Sequence, residues 1–128
     1  MTGNKCLLDT SIVIHFFKKN EKIIQQLDGF SEVFVSTTVI GELYYGAYAS
    51  QAPEKHITMI EDFLLRCKTI ALDKASSINY GKIKTQLKLK GKPIPENDIW
   101  IAAVAISQNL PLFTTDNHFA AIPDIITL

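Results

Sequence analysis

The chain of 128 residues contains little of what marks a secreted, membrane-bound or thiolate-metal protein. Its two cysteines, Cys6 and Cys67, lack metal-ligand spacing, and we interpret them as small apolar side chains of a protein in a reducing compartment. No apolar run approaches the roughly 20 residues that span a bilayer, and residues 1–5 do not lead into the apolar core of a signal peptide. We therefore expect a cytoplasmic protein that does not enter a membrane.

The chain also has no excess of charge of either sign, because thirteen basic residues balance thirteen acidic ones. Nucleic-acid-binding domains are often basic, so the balance by itself argues against such a partner. One segment of eleven residues is nevertheless rich in lysine and free of acids, with Lys82, Lys84, Lys88, Lys90 and Lys92. These lysines are candidates for contact with nucleic-acid phosphates, and a solvated helix face is the simpler alternative.

Short apolar runs alternate with helical patterns along the whole sequence. This order predicts an α/β protein with a mainly parallel central sheet flanked by helices. The expected strands are 6–8, 33–35, 69–72 and 110–114, with 125–127 as a further candidate, and the expected helices are 12–19, 21–27, 39–50, 53–67, 74–90 and 97–108. Repeats, low-complexity tracts and linkers are absent from the sequence, so we expect one domain over residues 1–128.

Four carboxylates follow a strand or lie in the first turns of a helix, namely Asp9, Glu42, Asp98 and Asp116. Parallel βαβ units bring the carboxyl ends of strands and the amino ends of helices to one edge of the sheet, so these acids should converge. The helix that starts near Asp98 carries the chain about 18 Å from that edge. The strand 110–114 then returns about 17 Å, which brings Asp116 level with Asp98.

Such a cluster requires compensation, because two carboxylates about 4 Å apart repel by about 4 kcal/mol at an effective dielectric of 20. Protons or a hard cation supply that compensation, and we interpret the cluster as a magnesium site. Asp9, Asp98 and Asp116 have helix capping as an alternative role. Glu42 does not, because its partner in a capping box would be Val39, which has no capping group.

Four local strings carry a family resemblance: LLDTS at 7–11, GELYYGA at 41–47, NDIWIAA at 97–103 and TTDNHF at 114–119. In this order and spacing the sequence resembles the PIN domain, and within it the VapC-type toxins of type II toxin–antitoxin systems, over essentially the whole chain. The resemblance implies a single PIN-like α/β domain and a metal-dependent endoribonuclease that inhibits translation or growth. It also implies Mg²⁺ or Mn²⁺ as cofactor, an RNA substrate, a homodimer and neutralisation by a small VapB-like antitoxin.

The resemblance assigns the catalytic role to the four acids already described. The expected metal-binding residues are Asp9, Asp98 and Asp116. We assign Asp9 and Asp98 to direct contact with the ion, and Asp116 and Glu42 to contact through water or to positioning of the nucleophile. Glu96 and Asn97, which flank Asp98, are alternative ligands.

Other polar and aromatic side chains receive supporting roles. The hydroxyls of Thr10, Ser11 and Thr115 are candidates for orienting the carboxylates, with Thr10 and Ser11 also candidate caps of the first helix. The three histidines have no zinc spacing, and we expect ordinary surface or partly buried roles for them: His15, His56 and His118. Tyr45 and Tyr48 are candidates for a partner interface.

Several other functions fit the sequence less well. A binding module on a catalytically silent PIN scaffold predicts a lost acid, and none of the four is lost. A phosphoaspartate receiver needs an acidic pair at its first strand and a lysine after a late strand, whereas Asp9 stands alone and 114–116 contains no lysine. The small size favours RNA over a DNA flap substrate. A PIN nuclease of RNA processing that is not a toxin remains an alternative.

Overall fold

A four-stranded parallel sheet forms the centre of the computed structural model, which describes residues 4–128. The strands are β1 (Lys5–Leu8), β2 (Glu32–Ser36), β3 (Lys68–Ile70) and β4 (Leu112–Phe113), and their order across the sheet is β3-β2-β1-β4. Each of the three neighbouring pairs is parallel. The predicted α/β class with a mainly parallel sheet is therefore confirmed. Residues 1–3, part of the segment used to argue against a signal peptide, lie outside the described residues.

Six α-helices flank the sheet, in positions close to those predicted from the sequence. They are α1 (Thr10–Phe17), α2 (Glu21–Asp28), α3 (Thr37–Tyr48), α4 (Pro53–Leu64), α5 (Lys74–Leu89) and α6 (Glu96–Ser107), and a short 3₁₀ helix follows at Asn117–Ala121. Among the described helices, none is long and apolar enough to cross a bilayer. Helix α5 packs along α6, where the ring of Tyr80 stacks on Trp100 with 3.9 Å between the ring centroids.

The core surrounds β1, because this strand has a neighbour on each side and helices over both faces. Cys6, Leu7 and Leu8 are fully buried, as expected for a continuous apolar run in a parallel sheet. Burial raises the pKa of Cys6 to about 12, so its thiol stays neutral and acts as a small apolar side chain. Both cysteines are free, in agreement with the interpretation from the sequence.

The last part of the sheet differs from the prediction. Strand β4 has two residues instead of the five of 110–114, because the Leu110 N–H donates to Ala105 O at the end of α6 and Pro111 has no N–H to contribute. The expected strand 125–127 is also wrong, since only an isolated parallel bridge joins Thr127 to Leu112. Two hydrogen bonds of 2.8 Å support this bridge, from Leu112 N to Ile126 O and from Leu128 N to Leu112 O.

Candidate metal centre

Asp9 is the buried member of the predicted acidic cluster, with only 4% of its surface exposed. It follows β1 directly and is the N-cap of α1. Helix capping was the alternative role predicted for Asp9, whereas Thr10 and Ser11, the other predicted caps, lie within the helix. The Thr10 N–H donates to Asp9 Oδ1 at 2.8 Å, while the hydroxyls of Ser11 and Thr114 donate to Oδ2 at 3.1 Å and 2.6 Å. A carboxylate in such a buried position requires hydrogen bonds of this kind, and they fix its orientation.

Glu42 is joined to Asp9 through Thr10. It lies in the second turn of α3, and its Oε1 accepts a 2.7 Å hydrogen bond from the Thr10 hydroxyl. Because Thr10 uses its N–H for Asp9 and its hydroxyl for Glu42, one residue sets the positions of both acids. The contact spans 32 positions of sequence, so it depends on α1 and α3 starting at the same edge of the sheet.

Asp98 and Asp116 meet at the imidazole of His118. Asp98 lies in the first turn of α6, and Asp116 is the N-cap of the 3₁₀ helix. His118 Nδ1 lies 2.9 Å from Asp98 Oδ2 and 3.1 Å from Asp116 Oδ1. The chain runs away from the sheet edge along α6 and back through the following segment, so Asp116 lies close to Asp98 as predicted, although β4 itself is short.

A hydroxyl group connects these two halves of the cluster. Thr114 Oγ1 donates to Asp9 Oδ2 and also accepts the N–H of Asp116 at 2.9 Å. The path from Glu42 through Thr10, Asp9 and Thr114 to Asp116 is therefore continuous. With the His118 contact to Asp98, all four predicted acids belong to one hydrogen-bonded network.

The electrostatics of this network combine burial, repulsion among the acids and partial compensation by His118. Burial raises the pKa of Asp98 above its ordinary value, and the charges of Asp9 and Asp116 raise it further, while the hydrogen bond to His118 opposes the rise. The same hydrogen bond raises the pKa of His118, and the charge of Asp116 adds to that rise. Within residues 4–128, no lysine or arginine forms a salt bridge with any of the four acids.

Two residues of the network were missed or misassigned from the sequence. His118, for which an ordinary surface or partly buried role was predicted, is exposed, but its ring also contacts two of the acids. The hydroxyl that reaches Asp9 is that of Thr114, whereas Thr115 is exposed and contributes its N–H, which donates to Ser11 Oγ at 3.3 Å. Strand alternation could not decide between these two threonines, because Leu112 and Phe113 before them are both buried.

The lysine-rich segment and the residues beside Asp98 are separate from this network. Lys84 Nζ lies 2.9 Å and 3.2 Å from the carboxylate oxygens of Glu96, so both side chains already have a partner. This ion pair weighs against Glu96 as an alternative ligand, and Asn97 is exposed. The other four lysines of the segment are exposed: Lys82 in the middle of α5, Lys88 in its last turn, and Lys90 and Lys92 after the helix.

An apolar groove of about 280 Å³ lies beside the acidic centre, between α1, α3 and α4. Its lining includes Leu43, Gly46, Ala47 and Met59, and Glu42 also borders it. Tyr45 and Tyr48 do not line this groove and are mostly exposed. The groove therefore places an apolar surface directly next to one of the four acids.

Comparison with known proteins identifies the class to which this fold and this acidic centre belong. The PIN domain family matches residues 6–125, and the chain belongs to that family. Ribonuclease VapC2 of Haemophilus influenzae is 40% identical over 116 residues, which cover 88% of this chain and 86% of the relative. The tRNA(fMet)-specific endonuclease VapC of Salmonella typhimurium is 32% identical over 124 residues and 94% of each protein.

A solved structure shows the same relationship at the level of the fold. A chain in the crystal structure of VapBC2 from Rickettsia felis bound to a DNA fragment from their promoter superposes with a TM-score of 0.92. The two sequences are 29% identical, and the match covers 97% of each chain. The resemblance to VapC-type proteins that the four sequence strings indicated is thus confirmed.

Proposed function

We propose that residues 1–128 form one PIN domain that acts in the cytoplasm as a metal-dependent endoribonuclease toxin. It hydrolyses phosphodiester bonds of RNA and is neutralised by a small VapB-like antitoxin. One observation carries the proposal: four carboxylates share a single hydrogen-bonded network that, among residues 4–128, has His118 but no lysine or arginine as an ion-pair partner, in a chain related to VapC ribonucleases. A silent binding scaffold gives no reason to retain this repulsive arrangement.

The side chains present fit a divalent cation. Carboxylate oxygens are the donors that Mg²⁺ and Mn²⁺ accept. Burial is the main cause of the raised pKa of Asp98, and the nearby charges of Asp9 and Asp116, which such an ion would neutralise, raise it further. Asp9, Asp98 and Asp116 would hold the ion, Mg²⁺ or Mn²⁺. When bound there, the ion makes a water molecule more acidic and stabilises negative charge on the phosphate.

The remaining residues position the reactants. Glu42 accepts a hydrogen bond from Thr10 through one carboxylate oxygen, which leaves the other oxygen to orient the attacking water or take its proton. Ser11 and Thr114 hold Asp9 in a fixed rotamer through its second oxygen. In this arrangement Asp9 would bind the cation, and Glu42 would orient the attacking water.

The proposed antitoxin is supported by the related VapBC2 complex of Rickettsia felis and by the apolar groove beside Glu42. A partner segment that occupies this groove would lie next to the acidic centre and restrict access to it. We propose the homodimer on the same relationship, with Tyr45 and Tyr48 as exposed aromatic residues available for an interface. A small gene adjacent to the gene for this protein would encode this antitoxin, and co-purification of its product tests the proposal.

The test of the ribonuclease is cleavage of bulk RNA by the purified protein with Mg²⁺, Mn²⁺ or EDTA. We expect cleavage only with a metal, and none from the Asp98→Asn protein. Asp124→Asn is the matched control, because Asp124 is exposed and has a positive φ that asparagine tolerates. Metal-stimulated cleavage that survives Asp98→Asn would contradict the proposed site. Growth arrest on expression, relieved by the same substitution, tests the toxin role.

A further inference from the structure

We infer that His118 is itself a metal ligand, which gives the centre one imidazole nitrogen beside its carboxylates and favours a transition ion such as Mn²⁺ over Mg²⁺. This inference rests on the proposed function and extends it, because the expected metal-binding set contains acids alone. It also replaces the ordinary surface role that the sequence suggested for His118. The contacts of the Nδ1 atom are the basis of the inference.

The spacing of the potential donor atoms suits one ion. Nδ1 of His118 lies 2.9 Å from Asp98 Oδ2 and 3.1 Å from Asp116 Oδ1, and one ligand atom from each of the three residues lies within 4.8 Å of the others. Neighbouring ligands of an octahedral ion with bonds of 2.0–2.1 Å stand about 3 Å apart. The two nitrogen–oxygen distances match this value.

The local fold fixes His118 at this position. The backbone N–H of His118 donates to Asp116 Oδ1 at 2.9 Å. This hydrogen bond caps the 3₁₀ helix and places the side chains of Asp116 and His118 on the same side of the turn. The next residue, Phe119, is fully buried and anchors the turn in the core. The imidazole is 49% exposed, so an ion can reach Nδ1 from solvent without a change in the core.

A hydrogen-bonded counter-ion is the other interpretation of these contacts. The single Nδ1–H then donates to Asp98 Oδ2, while Asp116 Oδ1 accepts the backbone N–H of His118 and lies 3.1 Å from the same ring nitrogen. A coordinated ion instead accepts the Nδ1 lone pair and an oxygen from each acid. Imidazole nitrogen is a common ligand of first-row transition ions, whereas Mg²⁺ prefers oxygen ligands, so the two interpretations predict different metal preferences.

Pulsed electron paramagnetic resonance of the full-length protein with Mn²⁺ distinguishes them. We expect nitrogen hyperfine coupling from a coordinated imidazole in the wild type, and its loss in the His118→Phe protein. His15→Phe is the control, because it removes a histidine of α1 that has no contact with the acids. Titration of the same proteins should show that His118→Phe weakens Mn²⁺ binding by at least about 10-fold and Mg²⁺ binding by less than threefold.

A second substitution keeps the test informative if the phenylalanine variant is unstable. His118→Asp replaces the nitrogen by an oxygen, and we expect it to bind Mg²⁺ more tightly and to show no nitrogen coupling. Mn²⁺ binding without nitrogen coupling in the wild type would overturn the inference and leave the proposed metal-dependent ribonuclease intact. If neither ion binds the wild type, both the inference and the proposed metal centre are wrong.

Discussion

The hydroxyl of Thr114 donates a 2.6 Å hydrogen bond to Asp9 across a separation of 105 residues. This contact joins the residue that follows β4 to the acid that follows β1. Because the same oxygen accepts the N–H of Asp116, its hydrogen is committed to Asp9. Thr114 therefore acts as a positioning residue for two carboxylates at once.

Replacement of Thr114 by valine should weaken metal binding and RNA cleavage by about 10-fold to 100-fold, the usual effect of removing a partner of a metal-binding carboxylate. Thr115→Val is the matched control, because its exposed side chain is not bonded to an acid in the described structure. Titration calorimetry and initial cleavage rates measure the two effects. Thr114→Ser should restore most of the loss, and equal losses in the two valine variants would contradict the assignment.

Substitutions of Thr10 and Glu42 should have non-additive effects on kcat. We expect Glu42→Gln to lower kcat by about 10²-fold or more, as for loss of a positioned base, with a smaller effect on metal affinity. Thr10→Val removes the 2.7 Å hydrogen bond to Glu42 and should lower kcat in the same direction. The double variant should be no slower than Glu42→Gln alone. Additive effects would show that Thr10 acts independently of Glu42.

The metal-free protein should not lose thermal stability when Asp98 is replaced by the neutral asparagine. The raised pKa of Asp98 means that the folded state holds its proton more tightly than the unfolded state. The contribution to stability is therefore greatest at low pH and is lost as the pH rises through the folded-state value. At neutral pH in EDTA, Asp98→Asn should unfold at a temperature equal to or above that of the wild type. A clearly lower temperature would show that Asp98 has a structural role.

Addition of metal should make the wild type unfold at a higher temperature than the Asp98→Asn protein. An ion at 100 times its dissociation constant stabilises the folded state by about 2.7 kcal/mol. The wild type should therefore gain thermal stability with Mn²⁺ or Mg²⁺, and the Asp98→Asn protein should gain little. Scanning calorimetry with and without EDTA measures both parts of this prediction. An equal gain in the two proteins would place the stabilising ion elsewhere.

The groove beside Glu42 gives a prediction for the antitoxin. A Cβ atom built at Gly46 meets no atom within 4 Å, so the fold has room for a side chain at this point of the groove lining. Gly46→Phe should reduce co-purification of the antitoxin without unfolding the protein. Gly81→Phe on α5 is the control, since a Cβ there is equally unobstructed and Gly81 does not line the groove. Equal retention of the antitoxin by both variants would exclude the groove.

The lysine-rich segment gives a prediction for RNA. Replacement of Lys82, Lys88 and Lys92 by glutamine should weaken RNA binding and reduce its salt dependence, by about 0.7 in the logarithmic slope for each phosphate that is no longer neutralised. Lys84 is excluded because it pairs with Glu96. The control replaces three exposed lysines elsewhere: Lys19, Lys22 and Lys55. An unchanged slope in the first variant would leave the segment as solubilising charge.

Sequence reasoning was accurate where a single physical pattern determined the structure. Apolar runs located β1, where Cys6, Leu7 and Leu8 are fully buried, and the more exposed β2. The 3.6-residue period located α3 and α6. The parallel topology then brought all four predicted acids into one network. The extent of β4 was overestimated because Leu110 completes α6 through its N–H, a tertiary detail that an apolar pattern does not contain.

The contacts of Thr114 and His118 could not be predicted for a similar reason. Asp98 lies 20 positions from His118, so nothing in the local sequence indicates that they meet. The choice between Thr114 and Thr115 depends on how the chain turns after β4. Sequence periodicity thus found the elements and the acids, whereas the groups that orient those acids come from loop geometry.

The connection between Asp9 and Thr114 has a consequence for protein synthesis. The first strand and Asp9 leave the ribosome early, but the hydroxyl that orients Asp9 belongs to a residue that is added 105 positions later. Any product of translation that stops before Thr114 lacks that hydroxyl together with Asp116 and His118. Fragments that stop before Thr114 therefore cannot assemble the centre, so the proposed RNA cleavage requires translation to continue past His118.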